Sequence, residues 1–382
     1  MAGETTAASP AEERILAELN DAQRRAVTHG EGPLLIIAGA GTGKTRVITH
    51  RIAHLIATKR ARPEEILALT FTEKAAAEME ERVDVLLPYG FTNVLILTFH
   101  AFGDRLLRER SLELGLPPDV RLLNQAEQVI FLRERLFRLP LDYYRPLGDP
   151  TRHLQALVAL FSRCRDEDVS PAEYLAYAEG LQSQSAAHPE DEALAEEARR
   201  EAELARAYKA YGELKDEAGC IDFGDQVSLP LELLRTHPAS LRDCQARFRY
   251  ILVDEFQDTN YAQFELVKLL AAAHRNVTVV GDDDQSIYKF RGAAISNILG
   301  FMDHYPEATT VVLADNYRSV QPVLDGAYRL IDPDRLEVRQ GVDKHIVARR
   351  GSGAAIRHHH FDTLSSEGDF VARTIEEAVE AG

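Results

Sequence analysis

Leu34-Leu35-Ile36-Ile37-Ala38-Gly39-Ala40-Gly41-Thr42-Gly43-Lys44-Thr45 decides the reading of this chain. Five apolar residues without polar alternation describe a strand buried on both faces, as in a parallel sheet. A glycine-rich turn follows, and then a helical pattern. In that context the glycines let the backbone curl so that successive N–H groups converge on phosphate oxygens, and the helix N-terminus adds its partial positive charge. Lys44 would reach the β- and γ-phosphates, and the Thr45 hydroxyl would hold Mg²⁺. Position 38 is Ala where the general string has Gly, which leaves Gly41 and Gly43 to supply the curvature. The candidate phosphate cradle is therefore Ala38, Gly39, Ala40, Gly41, Thr42, Gly43, Lys44 and Thr45.

Outward from this loop, further apolar runs at Ile66–Thr70 and Val94–Thr98 are each followed by a helix-like stretch. Runs resume at Tyr250–Val253, Val277–Val280 and Thr309–Leu313. Such alternation predicts an α/β fold, a parallel sheet with helices on both faces. From about Arg110 to Ala218 the character changes to long helical segments, such as Gln125 to Phe137 and Glu190 to Leu214, with no convincing strand. This is read as an inserted all-helical domain. The expected organisation is a mobile leader at 1–13, a core from 14–110 and 219–313, the insertion at 111–218, and the incomplete start of a second α/β lobe at 314–382. Within that last part, a strand from Ala355 and a helix over Glu367 to Ala381 are expected.

A phosphate loop needs carboxylates at the end of another buried strand, and Asp254-Glu255 follow Tyr250–Val253 in that way. Asp254 would bind Mg²⁺ through water, and Glu255 would orient and deprotonate the attacking water. The 210 positions between Lys44 and Asp254 exceed what a minimal core needs, which supports an insertion returning to the same sheet.

Forty-four basic residues against 61 acidic ones give a net charge of −17, so a nucleic-acid site would have to be a local patch. Three cysteines, odd in number and widely spaced, fit neither a disulfide framework nor a zinc ligand set and point to a reducing compartment. No secretory signal and no membrane-spanning apolar run are visible. The charge-dense helix from Pro189 to Glu203 reads as a solvated face. His358-His359-His360 on a strand would point to alternating faces, which argues against a metal site.

With the loop and the carboxylates placed, the chain resembles the UvrD, PcrA and Rep branch of superfamily 1 DNA helicases, from Leu19 to about Val323. The strings that carry the resemblance are Leu19-Asn20-Asp21-Ala22-Gln23, Asp254-Glu255-Phe256-Gln257-Asp258-Thr259-Asn260, Gly281-Asp282-Asp283-Asp284-Gln285-Ser286-Ile287-Tyr288 and Asn316-Tyr317-Arg318-Ser319. The resemblance implies a RecA-like core and the beginning of a second RecA-like lobe. It implies that Gln23 pairs with the adenine edge and that Gln285 senses the γ-phosphate. Tyr317 would stack on the base, Arg318 would act as an arginine finger, and Arg46 would lie near the nucleotide. For single-stranded DNA it implies contacts from Phe71, Phe99, His100, Tyr288, Phe290 and Arg291, aromatic faces under bases being the usual device. Two positions depart from the family pattern: Phe290 stands where Trp is common, and Glu73 where Asn is common. Ile221-Asp222-Phe223-Gly224-Asp225 would mark the return of the insertion to the core, as a buried Phe beside a helix-capping Asp.

The implied function is an ATP-dependent helicase translocating 3′ to 5′ on single-stranded DNA in repair or replication restart. The implied partners are single strands, single/double-strand junctions and repair proteins, in a bacterial-type cytoplasm at the nucleoid. An alternative is an ATP-gated DNA-binding module with no motor activity unless a partner supplies the second lobe. A small-molecule kinase would need a lid and an acceptor site that the sequence does not show.

Overall fold

Eight strands run through the described residues up to Leu313: β1 (Leu34–Ala38), β2 (Ile66–Thr70), β3 (Leu95–Thr98), β4 (Arg121–Leu123), β5 (Cys220–Asp222), β6 (Tyr250–Val253), β7 (Val277–Gly281) and β8 (Thr309–Leu313). The structure is a computed structural model that describes residues 9–87, 93–117, 119–285, 297–330, 345–351 and 353–381. Six of the strands form one parallel sheet in the order β3-β2-β6-β7-β1-β8. In its register Ile36 lies between Val280 on β7 and Val311 on β8.

Alternate residues of β1 serve opposite faces. Leu34, Ile36 and Ala38 join a core cluster with Val47, Ile48 and Ile52 of the helix Lys44–Ala57 and with Met79 and Val83 of the helix Glu73–Leu86. Leu35 and Ile37 are equally buried, so both faces of the sheet are covered. The α/β class expected from the sequence is the observed one. No helix among the described residues is long and apolar enough to cross a membrane.

The stretch read as a leader is helical from Pro10. Ser9 accepts a hydrogen bond from the Glu12 N–H, Pro10 fills the first turn, and the helix Pro10–Leu16 buries Ile15 completely. Residues 1–8 lie outside the described part.

The insertion leaves β3 through the helix Phe99–Glu109 and comprises the helices Gln125–Glu134, Leu154–Asp166, Pro171–Ala187 and Glu192–Glu217. It is not strand-free as expected. β4 pairs in parallel with β5, so its entry and exit lie side by side. Three residues are too few to show alternation, and the ladder exists only through a partner about a hundred positions away. The insertion has its own core, in which Phe161 stacks on Tyr208 and Tyr211 at centroid distances of 5.4 and 5.1 Å. Buried Glu203 accepts hydrogen bonds from the N–H groups of Asp142, Tyr143 and Tyr144, fixing an otherwise irregular segment.

At the return point, Lys215 is buried between the carboxylates of Asp222, at 2.6 Å, and Asp225. Tyr211 donates to Asp222 at 2.9 Å, and Arg165 lies 3.3 Å from Asp225. Burial opposes the Asp222 charge, but Lys215 and Arg165 outweigh it and hold the carboxyl below its ordinary value.

The residues from Ala314 form a second compact unit. Here β9 (Asp315–Asn316) pairs in parallel with β10 (Val347–Ala348), and the helices are Gln321–Leu330 and Leu364–Ala381. The strand expected from Ala355 is not formed: residues 353–361 join no ladder among the described residues, and a strand without a pairing partner has no place for its backbone groups. The histidines at 358–360 are therefore not on a strand, and no cluster that could hold a metal is found among the described residues.

Lys215→Met keeps the packing of the side-chain stem and removes the shared cation from two buried carboxylates, leaving Asp225 only Arg165 and Asp222 only Tyr211 as side-chain partners among the described residues. Equilibrium urea unfolding is expected to show a loss of about 3–5 kcal/mol, the cost of removing one partner from a buried ion pair.

Candidate nucleotide and DNA site

The turn after β1 takes the shape its glycines allow. Gly41 and Gly43 have φ of +76° and +93°, in the left-handed region where a Cβ is strained. A Cβ on Gly43 would also sit 2.8 Å from the Gln23 amide nitrogen. Buried Thr42 closes the turn by donating its hydroxyl to the Gly39 carbonyl at 2.8 Å. The helix Lys44–Ala57 begins at Gly43 with no side-chain cap, so its first N–H groups are left for a ligand.

Because β7 lies between β1 and β6 in the sheet, the turns after these three strands emerge side by side. Lys44 Nζ meets Glu255 Oε2 at 2.5 Å. Asp254 is buried, accepts from the Glu255 N–H at 3.0 Å, and is hydrogen-bonded by Thr45. Its carboxyl is pushed up to about 7, first by burial and then by the Glu255 charge, with Lys44 and Thr45 opposing. Asp258 rises to about 6 for the same first two reasons. Glu255 itself has φ +50°, rare for a residue with a side chain, at the start of the short 3₁₀ turn Phe256–Asp258. Gln285, beyond β7, donates its amide to Asp282 Oδ2 at 2.6 Å.

Gln23 has a second duty that the sequence reading missed. With Asn20 it forms a reciprocal capping box at the start of the helix Asp21–Thr28, and its Nε2 donates to the Thr42 carbonyl at 3.0 Å. The side chain is 1% exposed, so pairing with an adenine would use its remaining N–H and lone pair or replace these bonds. The signal was present in the spacing of Asn20 and Gln23. Arg46, in the first turn of the loop helix, pairs with Glu18. In the second unit, Asn316 is buried and accepts from the N–H groups of Arg318 and Ser319 at 2.9 and 2.7 Å, while Tyr317 and Arg318 are exposed.

The expected DNA contacts divide. Tyr288, Phe290 and Arg291 lie outside the described residues. Half-buried Phe71 is in the turn after β2, and His100 opens the helix after β3, both at the carboxyl rim of the sheet. Phe99 is corrected: at 3% exposure it is a core ring with no face free for a base, because the first turn of its helix directs it inward. Phe223 is corrected in the opposite sense. It is 45% exposed and meets His100 edge to face at 6.0 Å. The buried members of that string are Ile221, Asp222 and Asp225. Burial lowers the His100 pKa, with Glu73 opposing. Glu73 itself accepts from the Thr98 hydroxyl at 2.7 Å.

A parallel sheet carrying a glycine-rich phosphate loop, paired carboxylates two strands away and an aromatic rim defines a P-loop nucleotide-binding protein with a helical insertion. Residues 19–306 match the family model described as the UvrD/REP helicase N-terminal domain, and the chain belongs to that family. It is 37% identical over 360 residues to the ATP-dependent DNA helicase PcrA of Leuconostoc citreum, covering 94% of this chain and 44% of the relative. To the ATP-dependent DNA helicase PcrA of Bacillus subtilis (strain 168) it is 36% identical over 369 residues, covering 97% and 46%. The chain thus spans a little under half the length of these curated relatives.

An exposed aromatic at the rim is expected to support a base. Phe223→Ala should weaken binding of a fluorescent single-stranded oligonucleotide by about 1–3 kcal/mol, with little change in melting temperature. Unchanged affinity would leave Phe223 as a neighbour of His100 only.

Proposed function

We propose that this chain is the nucleotide-hydrolysing and strand-gripping part of an ATP-dependent DNA helicase that moves 3′ to 5′ on single-stranded DNA and serves repair or replication restart. The observation that carries the reading is the Lys44–Glu255 pair at 2.5 Å beside Asp254 and Thr45. Lys44 is the cation for the β- and γ-phosphates, and Glu255 is the carboxylate that orients water. Paired with each other, they hold both side chains in the site without turnover. Triphosphate offers Lys44 a stronger anionic partner, and Glu255 is then freed to accept a proton from the attacking water.

The residues fit a divalent cation: Thr45 supplies a hydroxyl and Asp254 a carboxylate, hydrogen-bonded to each other at the carboxyl edge of the sheet. Mg²⁺ bound there would neutralise charge on the phosphate oxygens. Gln285 is the proposed γ-phosphate sensor. Tyr317, Arg318 and Arg46 are the proposed base-stacking, arginine-finger and nucleotide-proximal groups. Phe71, His100, Tyr288, Phe290 and Arg291, with Phe223 added, are the proposed single-strand contacts. A cytoplasmic, nucleoid-associated setting and repair-protein partners accompany the reading.

A second reading is an ATP-gated single-strand-binding module with no motor activity unless a partner supplies the second lobe. Strand release from a partially duplex oligonucleotide separates the two, since a module binds such a substrate and frees no strand.

ATP hydrolysis with and without single-stranded DNA tests the shared core. Lys44→Ala is expected to abolish turnover. Glu255→Gln is expected to retain ATP binding while slowing hydrolysis by about 10²–10⁴-fold, the range for a lost general base. Normal hydrolysis by Glu255→Gln would remove Glu255 from that role.

A further inference from the structure

Gln257 is 3% exposed, beneath the carboxylate pair, and both ends of its amide are engaged. Its Nε2 donates to Glu255 Oε2 at 2.8 Å, the same oxygen that meets Lys44. Its Oε1 accepts from the Asp282 N–H at 3.0 Å, where the chain leaves β7. Asp282 in turn accepts from the Gln285 amide. The space is tight: a Cβ on Gly281 would lie 3.0 Å from Gln257 Oε1 and 3.3 Å from its backbone nitrogen. Buried Phe256, wedged edge-on against Phe264 and Phe301 at 5.2 and 5.8 Å, fixes the 3₁₀ turn from which Gln257 projects.

We infer that Gln257 is a positioning residue: its amide N–H aims the Glu255 carboxylate, and its carbonyl ties that carboxylate to the backbone of Asp282 and so to Gln285. The inference rests on reading Glu255 as the water-orienting carboxylate. When Lys44 turns to the phosphates, Glu255 loses its cation and keeps the Gln257 donor. Glu255 projects from a φ +50° backbone, and the Gln257 amide, 2.8 Å from its Oε2 and 3.4 Å from Asp258 Oδ2, is the fixed donor that holds it in a productive direction. A rigid amide also makes its two ends move together. A displacement of Glu255 when nucleotide binds is then felt at Asp282, and a displacement of the segment after β7 is felt at Glu255.

Two near-isosteric variants separate the ends. Gln257→Glu keeps an acceptor for the Asp282 N–H and removes the donor to Glu255. Gln257→Met removes both. Single-turnover ATP hydrolysis, with protein in excess and a single-stranded oligonucleotide present, gives the rate at saturation and the half-saturating concentration separately. Both variants are expected to lose about 10- to 100-fold in rate, with half-saturation within about threefold of the parent, the pattern of misaimed chemistry. Amide hydrogen exchange at Asp282, which needs no turnover, is expected to accelerate in Gln257→Met and to stay slow in Gln257→Glu.

A Gln257→Glu protein that hydrolyses ATP at the parental rate overturns the inference, because only the acceptor end would then matter. Unaccelerated exchange at Asp282 in Gln257→Met overturns it from the other side. Glu255→Gln in the same assay keeps the two readings apart. If that variant is inactive while Gln257→Glu is normal, the role of Glu255 stands and that of Gln257 falls. If Glu255→Gln is itself fully active, the reading of Glu255 has failed first.

Discussion

One lysine holds together a site with more negative charge than it can balance. Lys44 faces Glu255 directly, with Asp254 and Asp258 close enough to Glu255 and Lys44 for their carboxyls to feel both charges. Burial alone would drive such carboxylates to protonate, and Asp254 and Asp258 are both raised in that direction. Asp258 Oδ1 is buried with no hydrogen-bond partner among the described residues. A fold chosen for stability alone would replace these groups with apolar ones. Raised, buried carboxylates gathered at the carboxyl edge of a sheet mark a candidate functional site.

Strand order makes this concentration of charge possible. The phosphate loop follows β1 and the carboxylates follow β6, but neither strand touches the other in the sheet. β7 lies between them, and its exit at Asp282 is bridged to the carboxylate turn by Gln257. The strand that separates the two halves of the candidate nucleotide site is thus also the one that leads to Gln285.

The sheet was legible because its strands are apolar on both faces: continuous runs such as Leu34–Ala38 and Tyr250–Val253 need no tertiary information to be recognised. The β4/β5 ladder was not legible, since Arg121–Leu123 is a strand only by virtue of Cys220–Asp222. The side chains divide by the same rule. Lys44, Asp254 and Glu255 are placed by local backbone, a turn or a strand end, and spacing finds them. The orientation of an aromatic depends on what packs around it. Phe99 and Phe223 were therefore assigned to the wrong sides of the surface, although each sits in a string that was singled out. The string that singled out Gln23 did not reveal its capping box, because the spacing of Asn20 and Gln23 was read for a ligand and not for a helix start.

The two ends of the insertion converge on the aromatic rim. His100 stands at its entrance and Phe223 at its exit, and their rings are in contact. They meet because the helix Phe99–Glu109 packs against the helix Asp225–Thr236 at a point where no side chain fits: a Cβ on Gly103 would lie 1.6 Å from the Gln226 carbonyl oxygen. Beside that contact, Asp222 and Asp225 are locked by Lys215 from the long insertion helix. Asn260, four residues after the carboxylate turn begins at Phe256, donates to Asp166 of the insertion at 2.7 Å. The insertion is therefore braced on the rim at one side and on the carboxylate segment at the other. Any tilt of its helices must either break a buried, charge-assisted contact or carry the rim and the carboxylates along with it.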